Sequence, residues 1–279
     1  MAQNELMMRF KREMFAPNGK RELSSTSDVD AGLANALLAV LDGLSVSDTR
    51  ATARPLKRFL KRSARDKLKF GNYDDVEAFL RAVRAAGAGL RDEKPNSYGE
   101  LNADALPIIN LGRTPGFQMH DNTVVVDDFN AGYLTDDKGV PSALLTFNPV
   151  EIEYSIMVLA NEKETLNALT GALLTWLRQF ATYGNTNFTA QTRLAGCPLE
   201  LECLLRDPRG SMVNDLTLPM ANERIYAAAI PVTVIAPLFT AWLGTPSSGK
   251  IEIISDGVSY TTVAPIVPPA PAVQLVEVV

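Results

Sequence analysis

From Val150 to Leu159 the chain alternates with a period of two. Val150, Ile152, Tyr154, Ile156 and Val158 fall on one side, and Glu151, Glu153, Ser155 and Met157 on the other. Only extended backbone separates these two sets, because helical winding would mix them around its circumference. The segment is therefore a strand with one apolar face, and that face has to be covered. The next segment supplies a cover. Asn161 stands ready to cap a helix from about Glu162 to Phe180, with Glu162 and Glu164 in its first turn. Leu166, Leu169, Leu173, Leu174, Trp176, Leu177 and Phe180 recur on one side of that helix. A strand and a helix with matching apolar faces predict a helix lying on a sheet.

Other short apolar runs extend the sheet. Leu106–Leu111 stops at Gly112, with Pro107 near its entry as an edge strand tolerates. Thr123–Val126, Leu194–Ala195 and Leu199–Leu205 are strand-like, and Ile225–Ile235 is the last strong strand, Pro231 marking a bulge or an edge. Asp127–Pro141 reads as a loop or hairpin tip, and its aspartates lack the spacing of an EF-hand loop. The order β–β–α–β–β gives an α+β fold over residues 100–243: a mostly antiparallel sheet packed by one long helix. Before it, residues 1–95 form an N-terminal arm and a helical region. Met1–Ser27 is polar; Ser27 or Asp28 caps a helix to about Leu41; Asn72 caps a third helix, with Asp74, Asp75 and Glu77 in its first turn and Val76, Phe79, Leu80 and Val83 on its apolar face, ended by Gly87 and Gly89. Arg91–Gly99 is a polar linker. Residues 244–279 form a hairpin around Asp256-Gly257 and a tail stiffened by Pro265, Pro268, Pro269 and Pro271. Val273, Leu275 and Val276 lie in a valine-rich end suited to strand addition on a neighbouring subunit.

Charge divides the chain. Residues 1–100 hold 18 Lys/Arg and 14 Asp/Glu, whereas the remainder holds 9 and 18. Nine basic residues against the single acid Asp66 crowd into Arg50–Lys69. Spacings of three and four place Arg54, Lys57, Arg58, Lys61, Arg62 and Arg65 along one helical surface, with Leu56, Phe59, Leu60 and Ala64 behind. Ser47 or Asp48 is the expected N-cap, and Pro55 either kinks this helix or marks a later start. A solvated face, a docking surface for an acidic protein and a nucleic-acid contact all fit this pattern. A pI near 5.1 gives DNA an unfavourable far field, which favours docking on protein, including the acidic part of a neighbouring copy.

The chemistry available is narrow. Cys197, Cys203 and His120 are the only cysteines and histidine, too few for a four-ligand zinc site of Cys/His type. Cys203 reads as a buried small hydrophobe, and Cys197 sits in a Gly-Cys-Pro turn, where a disulfide to Cys203 is conceivable but unneeded in a reducing compartment. Glu151 and Glu153, about 7 Å apart on one strand face, read as its polar side rather than as an acid–base pair. No catalytic motif, cofactor motif or metal-ligand spacing is present, so the chain is expected not to be an enzyme. At 46% hydrophobic residues and a mean hydropathy of +0.01, with no secretory leader in Met1–Arg12 and no apolar run long enough for a bilayer, it is expected to be a cytosol-made, soluble protein with no membrane partner.

The succession Leu106-Pro-Ile-Ile-Asn-Leu, Val150-Glu-Ile-Glu-Tyr-Ser-Ile-Met-Val-Leu-Ala, the Leu/Trp helix and Glu223-Arg-Ile-Tyr-Ala-Ala-Ala-Ile-Pro-Val-Thr-Val resembles the tail-terminator and neck proteins of contractile-tailed bacteriophages. The resemblance covers roughly residues 101–243. It implies a structural virion protein, assembled in the host cytoplasm, that forms a ring, a hexamer first among the stoichiometries. Such a ring caps the tail tube and sheath and joins them to the head. The implied partners are further copies of the chain and other neck, tail-tube and sheath proteins, with DNA only passing through an acidic channel. No catalytic residue or cofactor carries over. Within virion proteins the alternatives are a collar, a head–tail connector or a sheath-associated neck protein; outside them, an enzyme using Glu151/Glu153 or Cys203, or a DNA-binding regulator using residues 50–69.

Overall fold

The computed structural model describes residues 15–50, 53–73, 75–85, 105–120, 130–135, 141–183, 187–206, 213–219, 224–246, 251–255 and 258–262. In chain order the strands are β1 (Phe15–Leu23), β2 (Leu68–Phe70), β3 (Ile108–Arg113), β4 (Gln118–Met119), β5 (Asn130–Thr135), β6 (Pro141–Ala160), β7 (Asn187–Leu194), β8 (Cys197–Leu205), β9 (Asn214–Asp215), β10 (Leu218–Pro219), β11 (Arg224–Pro246), β12 (Ile251–Ser255) and β13 (Val258–Thr262). The helices are α1 (Thr26–Gly43), α2 (Arg54–Leu60), α3 (Ala64–Lys67), α4 (Val76–Ala85) and α5 (Lys163–Tyr183). The fold is mixed α/β, built on a curled, mostly antiparallel sheet. Its main path runs β2-β3-β6-β11-β8-β7; β4 and β5 also pair with β6, and β1, β9 and β10 with β11. Among the described residues only β2 and β3 run parallel. Strands β12 and β13 form a separate hairpin. Among the described residues no helix is long and apolar enough to cross a membrane.

The frame is the pair β6–β11, in register without a break from Tyr226↔Ala160 to Leu243↔Ala143. At about 3.4 Å per residue this ladder is about 60 Å long. It contains three prolines, and their placement explains why they do no harm. Pro149 faces Pro237, and Pro231 faces Ser155. The carbonyl of Pro149 accepts from His120 and that of Thr233 from Arg206, so backbone polar groups at these alternate positions point away from the β6–β11 ladder. The missing proline N–H groups are therefore ones the ladder does not use.

One face of the sheet, the front, carries the main core. Ile152, Tyr154, Ile156 and Val158 of β6, Ile230, Val232 and Val234 of β11, and Leu201, Cys203 and Leu205 of β8 are buried there. Against them lie Val29, Leu33, Leu37 and Leu41 of α1, Leu56 and Phe59 of α2, and Leu166, Leu169, Leu173, Trp176 and Leu177 of α5. Helices before residue 95 and strands after residue 100 thus share one core. On the back, α4 packs Val76, Phe79, Leu80 and Val83 over Ile108, Met157, Leu159, Ile225 and Ala227. That covers one end of the back face. Farther along, among the described residues, Glu153, Glu200 and Pro231 are exposed and Glu202, Leu204, Thr233 and Ile235 half-buried.

The sequence reading needs correction in several places. Two long helices, not one, cover the front face. The described part of the polar arm does not stay apart: β1 pairs antiparallel with Thr240–Pro246 of the chain's own β11, and residues 1–14 lie outside the described residues. Helix α1 is capped by Ser25, whose Oγ accepts from the Ser27 amide at 3.1 Å, rather than by Ser27 or Asp28. Strands β6 and β11 run well beyond Val150–Leu159 and Ile225–Ile235, because prolines and a glycine masked their extensions. The expected strand Thr123–Val126, the linker Arg91–Gly99, the four loop aspartates and the tail from residue 263 lie outside the described residues.

Gly32 shows how close α1 comes to the sheet. A Cβ there would stand 2.6 Å from Ala190 Cβ and 2.9 Å from Ala190 Cα, whereas one at Gly43 would meet nothing within 4 Å. Gly32→Ala should therefore destabilise by about 1–3 kcal/mol through overpacking against backbone. Gly43→Ala should be neutral or stabilise by up to about 1 kcal/mol through helix propensity. Urea unfolding of both variants checks this, and equal effects would show that α1 does not seat on β7 as described.

Candidate functional site

The basic segment does not form one helix. Proline at the second position of α2 fits a helix start, so Pro55 marks the later beginning and Ala53 precedes it as N-cap. The helix ends at Leu60, Ser63 is extended, and a single turn, α3, follows with Ser63 Oγ donating to Asp66 at 2.7 Å. The break turns Arg62 inward. Its guanidinium donates to the carbonyl oxygens of Ala105, Leu106 and Pro107 at 2.8–2.9 Å, clamping the entry to β3. Arg62 is thus a structural residue and not part of a docking face. Lys67 is likewise drawn inside, 3% exposed and paired with Asp42. What remains outward is Arg54, Arg58, Lys61 and Arg65, all exposed, with Lys57 half-buried among them. Val273, Leu275 and Val276 lie outside the described residues.

The back face of the sheet holds a cluster that the sequence did not reveal. Glu151, read as half-exposed, is 6% exposed. Its Oε1 lies 2.7 Å from His120 Nδ1, and its Oε2 accepts from Arg206 at 2.9 Å and from Gln118 Nε2 at 3.2 Å. Strand β4 brings Gln118 opposite Glu151, His120 follows it, and Arg206 crosses β11 from the end of β8. The His120 hydrogen bond, then Gln118 and the Arg206 charge, hold the Glu151 carboxyl below its usual range. An ionised carboxylate only accepts, so Nδ1 of His120 carries the proton in this contact. The periodicity placed Glu151 on the correct face; the covering residues come from 31 and 55 positions away, where no local pattern points to it. Glu153, two residues on, is exposed.

A second buried carboxylate lies on the front face. Asp30 accepts from the Tyr154 hydroxyl at 2.7 Å, with Arg113 Nε at 3.7 Å. Burial raises its pKa, against the Tyr154 hydrogen bond and the Arg113 charge, and burial followed by Asp30 raises that of Tyr154. Asp30 therefore ties α1 to β6.

Neither cysteine joins the Glu151–His120 pair. Cys203 is buried on the front face, and burial pushes its thiol up to about 12. Cys197 donates to Thr135 O at 3.3 Å, and both thiols are free. Six strand residues apart is about 20 Å, far beyond disulfide reach. A groove of about 670 Å³ between α5, β9 and β11 is lined by Lys163, Asn167, Thr170, Asp215, Thr217 and Tyr226 together with apolar side chains, but by neither Glu151, His120 nor a cysteine. Among the described residues no three His, Cys, Asp or Glu side chains gather to hold a metal ion. The arrangement of Glu151, His120 and Arg206 works as a brace joining β4, β6 and the end of β8.

The two carboxylates should respond to pH in opposite senses. Glu151, with its pKa lowered by folding, contributes stability that is present above its unfolded pKa and lost as pH falls through the lower folded value. Glu151→Gln should cost about 1–3 kcal/mol at neutral pH, since Arg206 loses its charge partner, and the difference from wild type should close on acidification. Asp30, with its pKa raised, contributes stability below its unfolded pKa that is lost as pH rises through the folded value. Asp30→Asn should gain on wild type as pH rises through that range. Denaturant unfolding across the acid range measures both slopes; parallel curves for Glu151→Gln and wild type would show that the brace is not ionic.

No protein-family model matches the chain, and no curated protein matches it either.

Proposed function

We propose that the chain is a structural subunit of a contractile-tailed phage neck, forming a ring that caps the tail tube and sheath and joins them to the head, as a tail terminator does. One observation carries this reading. The segments that bear the resemblance lie together at the centre of the molecule: β3, β6 and β11 are consecutive neighbours in the sheet, and α5 packs its leucines and Trp176 on the front of β6 and β11. In this reading α5 is the core helix of the ring domain, and the helical region within residues 1–95 is an addition that widens its front layer. The Glu151 cluster is a brace, and the protein works by assembly without turnover. Its partners are further copies of itself and neighbouring neck, tube and sheath proteins, with DNA passing through the channel. Collar, connector and sheath-associated positions in the neck share the same logic of a closed ring.

Native mass spectrometry of the full chain tests this. A hexamer or dodecamer is the expected result. A monomer persisting at the highest soluble concentration would contradict the reading.

A further inference from the structure

We infer that the basic surface of α2 and α3 docks on the uncovered back face of the sheet in a second copy of this chain, giving a head-to-tail contact. The inference rests on the ring reading above and names the surfaces that close the ring.

The argument starts from where the charges sit. Arg54, Arg58, Lys61 and Arg65 stand outward, with Lys57 half-buried among them, on the segment that leads into β2 at one end of the strand order; Asp66 lies among them and Asp48 near Lys57. Leu56 and Phe59 anchor this segment to the front core, so its charges lie on the front side. The back face, toward the β8 end of the same order, presents Glu151, Glu153, Glu200 and Glu202 against Arg193 and Arg206. Arg206 is held by Glu151, and Arg193 stays exposed with its Nε donating to Gly196 O. Glu153 and Glu200, the latter accepting from Gln191 Nε2 at 2.9 Å, are exposed beside half-buried Glu202, so acids outnumber bases on this face. Opposite charge therefore sits on opposite faces and toward opposite ends of one sheet.

The sheet itself stands between the two surfaces, so they do not meet within one chain. They meet between copies, and because the two surfaces differ, the contact repeats from copy to copy and closes a ring when the rotation allows. Apolar groups fit the same scheme. Phe70 is 50% exposed at the edge of the basic surface, and the acidic face offers half-buried Leu204 and Ile235. An aromatic anchor within a charged rim is the usual composition of a protein interface. Duplex DNA would use the basic surface alone and leave the acidic face bare.

The test is reciprocal charge reversal in the full chain, read by sedimentation velocity at low salt. R54E/K61E/R65E and E153K/E200K should each weaken self-association about tenfold or more, several exposed pairs acting together. An equimolar mixture of the two variants should assemble again, since each then supplies the surface the other lacks. Thermal melts matching wild type confirm folding; should either reversal fail to fold, R54Q/K61Q/R65Q and E153Q/E200Q carry the same expectation of loss. Rings that persist in both variants would overturn the inference and leave the ring reading standing. A monomeric wild type would remove both. Intact rings with lost binding to a duplex oligonucleotide would overturn the inference in favour of nucleic acid.

Discussion

The structure depends on the antiparallel ladder between β6 and β11. Every other strand of the main sheet hangs from one of these two, directly or through β3 or β8. Their alternation decides what each face becomes. Front positions from Val150 to Val158 and from Ala228 to Ala236 are apolar apart from the hydroxyl of Tyr154, so α1, α2 and α5 have one continuous surface to bury. The alternate positions change character along the ladder, from Met157 and Leu159 under α4, through Ser155, Glu153 and Glu151, to buried Phe147, Leu145 and Ala143 near a third apolar cluster. Helix α4 therefore covers one apolar end, and the polar middle is left for side-chain bracing and solvent. Fold and candidate interface both follow from this one pattern.

Polar groups drawn inside fix how the helices and loops sit on that frame. Arg62 satisfies three consecutive carbonyls before β3 that no strand partner reaches, and Lys67 is sequestered against Asp42. Asp30 fastens α1 to Tyr154, and Thr192 donates to Asp28 at 2.6 Å, so the first turn of α1 is tied to two strands. Buried hydrogen bonds of this kind are modest in net stability and costly to break one-sidedly, which makes them determinants of position more than of affinity. Two of the nine basic residues in Arg50–Lys69 are used this way. The charge that remains outward is smaller and more ordered than a single basic helix would present.

How much of this was legible in the sequence follows from range. The strand at Val150–Leu159, the apolar face of the helix after it, the buried faces of α1 and α4 and the burial of Cys203 are local patterns of period two or 3.6, and they were read correctly. The expected Asn161 cap was not: α5 starts at Lys163, and Asn161 Oδ1 accepts no hydrogen bond. Strand length was not either, because Pro149, Pro237 and Gly244 are breakers by local rules, and the two prolines become harmless only where the ladder's hydrogen bonds skip them. The straight basic helix failed for a related reason: the i, i+3, i+4 spacing through Arg65 is real, but the carbonyls of residues 105–107 draw Arg62 out of it. Pairing of β1 with β11 and the enclosure of Glu151 by His120 and Arg206 are contacts between distant segments, and nothing near residue 20 or residue 151 announces them.

Native-state hydrogen exchange, resolved to short peptides by mass spectrometry, tests the central claim most directly. If the β6–β11 ladder is the frame, amides of Ile152–Leu159 and Ala228–Val234 exchange only through global unfolding, and no element opens later than they do. Amides of α2 and α3, held by few buried side chains, exchange through local opening at lower free energy. Protection that is higher in α1 or α5 than in the ladder, with β6 and β11 opening first, would contradict the account and make the helices, not the paired strands, the structure on which the rest depends.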